Sequence, residues 1–246
     1  MTSPHDQSQY QVRFDWGLEG AATVAADVDV IVVVDVLSFT TTVGIALEHD
    51  VEVLPFAGGD AAAFAAEHGA VVAGERDSGL GLSPSSWTAE HAGTRVVIPS
   101  PNGSRLSARL AGHPALVVAG SLRNRTAVAE WVLSRQAEKG DRFTVAVIGA
   151  GEAREDGSIR FAVEDQLGAG AIVDALAVVG IDYCSPEAAA ACAAFTSLRN
   201  AVGHLVSASA SGKELIERGF VRDTDLAAQV DVSTVVPVLK EYAFRL

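Results

Sequence analysis

The chain has 246 residues, 49% of them apolar, which is ample for a large hydrophobic core. Its formal net charge of -13 excludes a broad basic face for nucleic acid and disfavours docking on an anionic membrane. A small phosphorylated ligand stays compatible, because a few arginines, backbone N–H groups and a metal ion bind it locally.

The first residues, 1–11, are polar and lack the apolar stretch of a signal peptide, and an antiparallel hairpin is expected around residues 9–14. From residue 28 onward one rhythm repeats: a short β-branched run, a turn, then an alanine-rich stretch with helical spacing. The runs 28–34, 51–56, 71–73, 95–98, 116–119 and 143–148 predict strands. Residues 42–48, 60–67, 104–110 and 126–137 predict helices between several of them. Continuous apolar strands alternating with helices imply an α/β fold, with a mostly parallel or mixed sheet flanked by helices.

After Gly151 the rhythm changes to a helix-rich C-terminal part, about 161–230. Residues 161–179 predict one long helix whose Gly168, Ala169 and Gly170 permit close packing against the sheet. Residues 186–207 predict a second helix opened by Pro186, residues 224–230 a third, and residues 235–239 a last strand. No linker or repeat interrupts the chain, so residues 1–246 are expected to form one domain. The loop 76–90, rich in Gly, Ser and Pro, is long enough to carry function. Cys184 and Cys192 fit core positions in a reducing compartment better than a disulfide framework. With no apolar run of membrane-spanning length, the expected location is the cytoplasm. The alanine-rich helices also offer a face for self-association.

Ligands of parallel α/β sheets bind outside the carboxyl ends of the strands, so the polar residues after each strand are the site candidates. They are Asp35, Ser38 and Thr40–Thr42 after the first parallel strand, and Gly74-Glu75-Arg76-Asp77 after the third. Ser100-Pro101-Asn102-Gly103-Ser104 follows the fourth, Ser121-Leu122-Arg123-Asn124 the fifth, and Gly151-Glu152 the sixth. Asp35 and Glu75 are hard oxygen donors suited to Mg²⁺. Thr40, Thr41 and the turn Asn102-Gly103-Ser104 open onto helices, whose free N–H groups favour an anion. Arg123 can fork onto phosphate oxygens. Glu164 and Asp165 lie in the first turns of the long helix, where a carboxylate can face the same edge. Each has a structural alternative: a strand-end Asp caps a helix, Asn-Gly forms turns, Arg123 lies on the surface, and first-turn carboxylates complement the helix dipole.

Familiar signatures are absent. There is no Gly-x-x-x-x-Gly-Lys-Ser/Thr loop, no dinucleotide-binding glycine triplet and no Gly-x-Ser-x-Gly elbow, and the six histidines lack zinc-ligand spacing. Cys192 and Arg199 are one residue too far apart for a Cys-x5-Arg phosphatase loop. Leu37 stands where an aspartyl-phosphate phosphatase needs its second aspartate.

The ordered set of motifs resembles the 2-phosphosulfolactate phosphatases. It comprises Val34-Asp35-Val36-Leu37 with the following Thr-rich turn, Gly74-Glu75-Arg76, Leu82-Ser83-Pro84, and Pro101-Asn102-Gly103-Ser104. Gly120-Ser121-Leu122-Arg123-Asn124, Glu164-Asp165 with Gly168-Ala169-Gly170, and Ser211-Gly212-Lys213-Glu214-Leu215 complete it. The resemblance implies a Mg²⁺-dependent phosphatase of small 2-hydroxy-acid phosphoesters such as 2-phosphosulfolactate. Asp35, Glu75 and Glu164 or Asp165 become the expected metal carboxylates, with Asp35, Glu75 and Asp165 the expected catalytic groups. Asn102-Gly103-Ser104 and Arg123-Asn124 become the expected anion-binding groups. The expected mechanism is in-line attack by a water on phosphorus, with a nearby carboxylate moving the proton. One departure stands out: the family pattern has Arg where this chain has Ser38, and Arg76, Arg105 and Arg123 are the candidates to replace it. A non-catalytic binding protein for small acidic phosphoesters, and a different metal-dependent hydrolase on the same scaffold, are the alternatives.

Overall fold

The computed structural model describes residues 3–76, 78–154 and 156–246. Asp77, placed above among the residues after the third strand, lies outside them. The β-branched runs form strands as expected. In chain order the elements are β1 (Val12–Trp16), α1 (Gly17–Val24), β2 (Val30–Val34), α2 (Phe39–Glu48), β3 (Glu52–Phe56), α3 (Ala61–Glu67) and β4 (Val71–Val72). They continue with β5 (Arg95–Pro99), α4 (Gly103–Leu110), β6 (Leu116–Gly120), α5 (Arg125–Lys139), β7 (Val145–Gly149), β8 (Glu152–Ala153) and β9 (Ile159–Arg160). The C-terminal part holds α6 (Val163–Val178), α7 (Pro186–Leu198), α8 (Val202–Ala208), α9 (Ala210–Glu217), α10 (Val221–Ala227), β10 (Val238–Lys240) and β11 (Ala243–Arg245).

Nine strands make one mixed sheet in the order β1-β7-β2-β6-β10-β11-β3-β5-β4, and β8 with β9 forms a separate two-stranded ribbon. The strand β2 explains why the sheet carries helices on both faces. All five of its residues are fully buried, and their side chains alternate between two cores. Val30, Val32 and Val34 pack with Ile172, Val173 and Leu176 of α6, whereas Ile31 and Val33 pack with Ala21 of α1 and Leu106 and Leu110 of α4. Each such side chain contributes roughly 1.5–3 kcal/mol on burial. Gly168 lets α6 approach this strand: a Cβ there would lie 2.6 Å from Val36 and 2.9 Å from Val34. Gly170 serves a different neighbour, since its Cβ would fall 2.0 Å from the Ala191 carbonyl of α7.

Several local expectations are corrected. The segment near residue 12 forms no hairpin; β1 pairs in parallel with β7, Val12 opposite Val145. The helix expected over residues 186–207 breaks at a 3₁₀ turn, Arg199–Ala201, because α8 turns away to pack under α6. The last strand extends into an antiparallel hairpin, β10 with β11, inserted between β6 and β3. Three successive antiparallel pairings therefore reverse β3, β5 and β4 in ladder sense relative to β1, β7, β2 and β6. Among the described residues no helix is long and apolar enough to cross a membrane.

Candidate active site at the carboxyl end of β2

The parallel register puts Val34 level with Gly120 of β6 and Gly149 of β7, so the loops after these three strands start from one edge. Asp35 is the first residue beyond β2 and is almost fully buried. Its Oδ1 accepts the Phe39 N–H at 3.2 Å, which starts α2, and its Oδ2 accepts the Gly103 N–H at 2.7 Å, which starts α4. The turn after β5 thus reaches Asp35 even though β5 runs in the reversed group. Glycine is required for that approach: a Cβ on residue 103 would stand 2.6 Å from the Asp35 side chain.

Asp165, in the first turn of α6, ties the same edge together. Its Oδ1 accepts Val36 N–H at 2.7 Å and its Oδ2 accepts Gly151 N–H at 2.9 Å, bridging the ends of β2 and β7. Beside it, Glu164 is equally buried. Glu152 completes the group from the β7 side, half-buried, with its Oε2 accepting Asn102 Nδ2 at 2.9 Å and its Oε1 accepting Ser211 Oγ at 3.0 Å. Burial, offset in part by the N–H of Gly103 and reinforced by the charges of Glu152 and Glu164, raises the Asp35 carboxyl to about 6. Burial and the neighbouring Asp35 and Glu164 push Asp165 well above its ordinary value too. Like charges that raise one another in a buried pocket are a feature of functional sites.

The carboxylate cluster has the chemistry of a cation site. Among the described residues the Glu164 carboxylate receives no hydrogen bond and two other carboxylates adjoin it, which leaves it acceptor capacity. Also among the described residues, no three acidic, imidazole or thiol side chains converge closely enough to cage an ion alone. Asp35 and Glu164 could still hold a hard divalent ion that completes its shell with waters and phosphate oxygens, as Mg²⁺ does.

The other expected residues divide sharply. Asn102, Gly103, Glu164 and Asp165 join Asp35. The hydroxyls of Thr40 and Thr41 are spent on the loop itself, donating to the carbonyls of Asp35 at 2.8 Å and Val36 at 2.9 Å. Ser104 donates to Ile98 O at 2.6 Å and accepts Phe56 N–H at 2.8 Å, which locks β3 and β5 to the start of α4. The side chain of Glu75 is exposed in its loop. The structure does not bring Arg123 and Asn124 to the cluster. The Arg123 guanidinium bonds Gln229, the Leu226 carbonyl and, at 3.4 Å, Glu48 at the far end of α2. Nine helical residues separate Glu48 from the Asp35 end, about 14 Å of helix. Asn124 donates to the carbonyls of Ala119 and Val235 and accepts from Ser121, closing the turn after β6.

Of the three arginines weighed as replacements at position 38, Arg76 reaches it, with both terminal nitrogens 3.2 Å from Ser38 Oγ. Glu152 and Arg76 stood among the strand-end candidates without an assigned role, and Asp223 is the site residue that the candidate set lacked. Glu152 carried a signal, its place after the Gly149–Gly151 strand end. Asp223 carried none, since it sits within a short helix far along the chain. A cleft of about 640 Å³ adjoins the cluster, lined by Asn102, Arg105, Ala150, Trp16, Glu19 and Ser158 among others. Asp35, Glu152, Glu164 and Asp165 do not line it.

Fold and site together define an α/β protein with an acidic centre at the carboxyl ends of the parallel strands β2 and β7 of a mixed sheet. A family model described as 2-phosphosulpholactate phosphatase matches residues 20–242. The chain is 33% identical over 228 residues to the probable 2-phosphosulfolactate phosphatase of Parasynechococcus marenigrum (strain WH8102), covering 86% of this chain and 89% of that relative. It is 31% identical over 221 residues to the protein of the same description from Deinococcus radiodurans, covering 86% and 88%. It is 30% identical over 225 residues to the one from Synechocystis, covering 85% and 88%. The chain belongs to the 2-phosphosulfolactate phosphatase family, and that membership supports a phosphatase enzyme.

Proposed function

We propose that this chain is a Mg²⁺-dependent phosphatase that hydrolyses the phosphate monoester of a small 2-hydroxy acid, 2-phosphosulfolactate or a close relative. The observation that carries the reading is the convergence of Asp35, Glu164, Asp165 and Glu152 on one edge, with Asp35 raised to about 6, in a chain of this family. Asp35 and Glu164 are the residues that would hold the ion: Asp35 is fixed by two N–H donors and Glu164 carries unspent acceptor capacity. Bound there, Mg²⁺ supplies charge neutralisation at the phosphate and polarises a water.

The chain's own groups account for the rest. Asp165 holds the ends of β2 and β7 in register, so that Asp35 and Glu164 keep their separation. Glu152, oriented by Asn102 and Ser211 and half-open to solvent, takes the proton of the attacking water. The water oxygen bonds to phosphorus as the P–O ester bond breaks, and the same proton is returned to the leaving alkoxide. The products are inorganic phosphate and the free 2-hydroxy acid.

Phosphate release from 2-phosphosulfolactate and a panel of other 2-phospho-hydroxy acids, with Mg²⁺ and with chelator, tests this reading. Release that needs the metal supports it. A folded protein inert toward the whole panel under both conditions overturns it.

A further inference from the structure

We propose that Asp223 is a positioning residue, holding the Arg76 guanidinium against Ser38 on the Asp35 loop with one edge free to grip an acid group of the substrate. The proposal rests on the phosphatase reading for the identity of that substrate, though not for the anion-binding role itself.

The need for a cation follows from charge. The edge at Asp35 carries four carboxylates, and a phosphorylated, sulfonated hydroxy acid brings three acid groups of its own. Arg76 meets that need by geometry. Its two terminal nitrogens both donate to Ser38 Oγ at 3.2 Å, which occupies the end-on fork of the guanidinium. The remaining N–H of Nη1 is directed to Asp223 Oδ2 at 2.8 Å. Nε–H and the outer Nη2–H, which together make the side-on fork, have no acceptor among the described residues. That fork matches two oxygens of a carboxylate, sulfonate or phosphate.

Asp223 sets the aim. It is fully buried in α10, and its Oδ1 accepts Ser83 Oγ at 2.6 Å and Ser85 N–H at 3.3 Å. One carboxylate therefore clips the 76–87 loop and orients the arginine that the loop carries. The Phe220 ring, 5.5 Å from the guanidinium carbon, supports its plane. The same helical region touches the site a second time through Ser211 and Glu152.

The test combines calorimetric titration of inorganic phosphate and sulfolactate with phosphate-release kinetics, on wild type, R76A, R76K and D223N. R76A is expected to weaken anion binding and raise KM by about a hundredfold, with millimolar guanidinium recovering at least about tenfold of the loss. R76K keeps the charge without the fork, and D223N keeps the arginine without its aim. Each is expected to raise KM about tenfold with kcat nearly preserved, and D223N is not rescued by guanidinium. Should R76A be poorly folded, R76K carries the test. Wild-type KM and anion affinity in a folded Arg76 variant overturn the proposal, as does an R76A loss that guanidinium does not recover. Hydrolysis by wild type with unaffected Arg76 variants sinks this proposal alone. Arg76-dependent anion binding without any hydrolysis sinks the phosphatase reading and leaves this one standing.

Discussion

Two neighbouring strands, β2 and β6, end level with each other and run into similar-looking polar turns, yet the turns do opposite things. After β6, Asn124 spends its amide on two carbonyls and a serine, and Arg123 is absorbed by Glu48, Gln229 and a carbonyl. After β2, Asp35 is fixed as firmly by backbone N–H groups, but its charge is opposed by three more carboxylates. A polar cluster at a strand end becomes a site when its charges are left unmatched. One whose charge is matched, as Glu48 matches Arg123 even though the buried Arg123 Nε is unpaired, is a hinge pin of the fold.

The sharpest way to break this contrast is Asp35→Asn. Metal-dependent phosphate release should fall on the order of 10³-fold. Its melting point should stay within about 5 °C of wild type, since relief of like-charge repulsion offsets the N–H that loses its acceptor. Retained turnover would place the chemistry elsewhere.

Gly103→Ala keeps every functional group but pushes a methyl into Asp35, with only 2.6 Å available. Turnover should drop about a hundredfold, because a displacement near 1 Å at a reacting centre costs that much. Rate assays beside a melting curve would detect it, and near-normal kcat would mean that the Asp35 position is not critical.

On the β6 side the balance of effects should invert. Asn124→Ala strands buried donors and acceptors and should cost about 3 kcal/mol, on the order of 10 °C, with kcat/KM of the remaining folded enzyme within about threefold. Arg123→Ala should act the same way more mildly, with KM unchanged. A tenfold rise in KM for Arg123→Ala would return that arginine to the substrate site and erase the distinction between the two turns.

The smallest effect concerns pH. Asp35 is raised from 3.8 to about 6, and Asp165 is raised as well, so the metal-free folded protein holds more protons than the unfolded chain in that range. Their contribution to stability is therefore greatest below about pH 4 and declines as pH rises towards 6. Mg²⁺ favours the ionised carboxylates, so its addition should raise the melting point more at pH 7.5 than at pH 5. Equal shifts at both pH values would remove the cluster as the metal site.

The strands, the α/β class and four members of the cluster were legible from sequence for local reasons. A short, wholly β-branched run such as Val30–Val34 reads as a strand buried on both faces, and a carboxylate directly after it stands at the ligand edge of a parallel sheet. Asp165 was legible too, because a first-turn position points its side chain back toward the strand ends. Arg123 looked equally apt, since an arginine after a strand reads the same whether its partner is a phosphate or Glu48.

Composition and pattern alone settled that this chain folds as helices around a largely parallel sheet, and its ordered motifs carried the family, because hydrophobic period and short motifs are properties of contiguous residues. Tertiary structure decided the inserted C-terminal hairpin, the reversal of β3, β5 and β4, and which polar turns remain unmatched. It also decided the pairing of Arg76 with Asp223 across 147 positions. Contacts of that separation are chosen by packing of whole layers, and no local pattern in the chain encodes them.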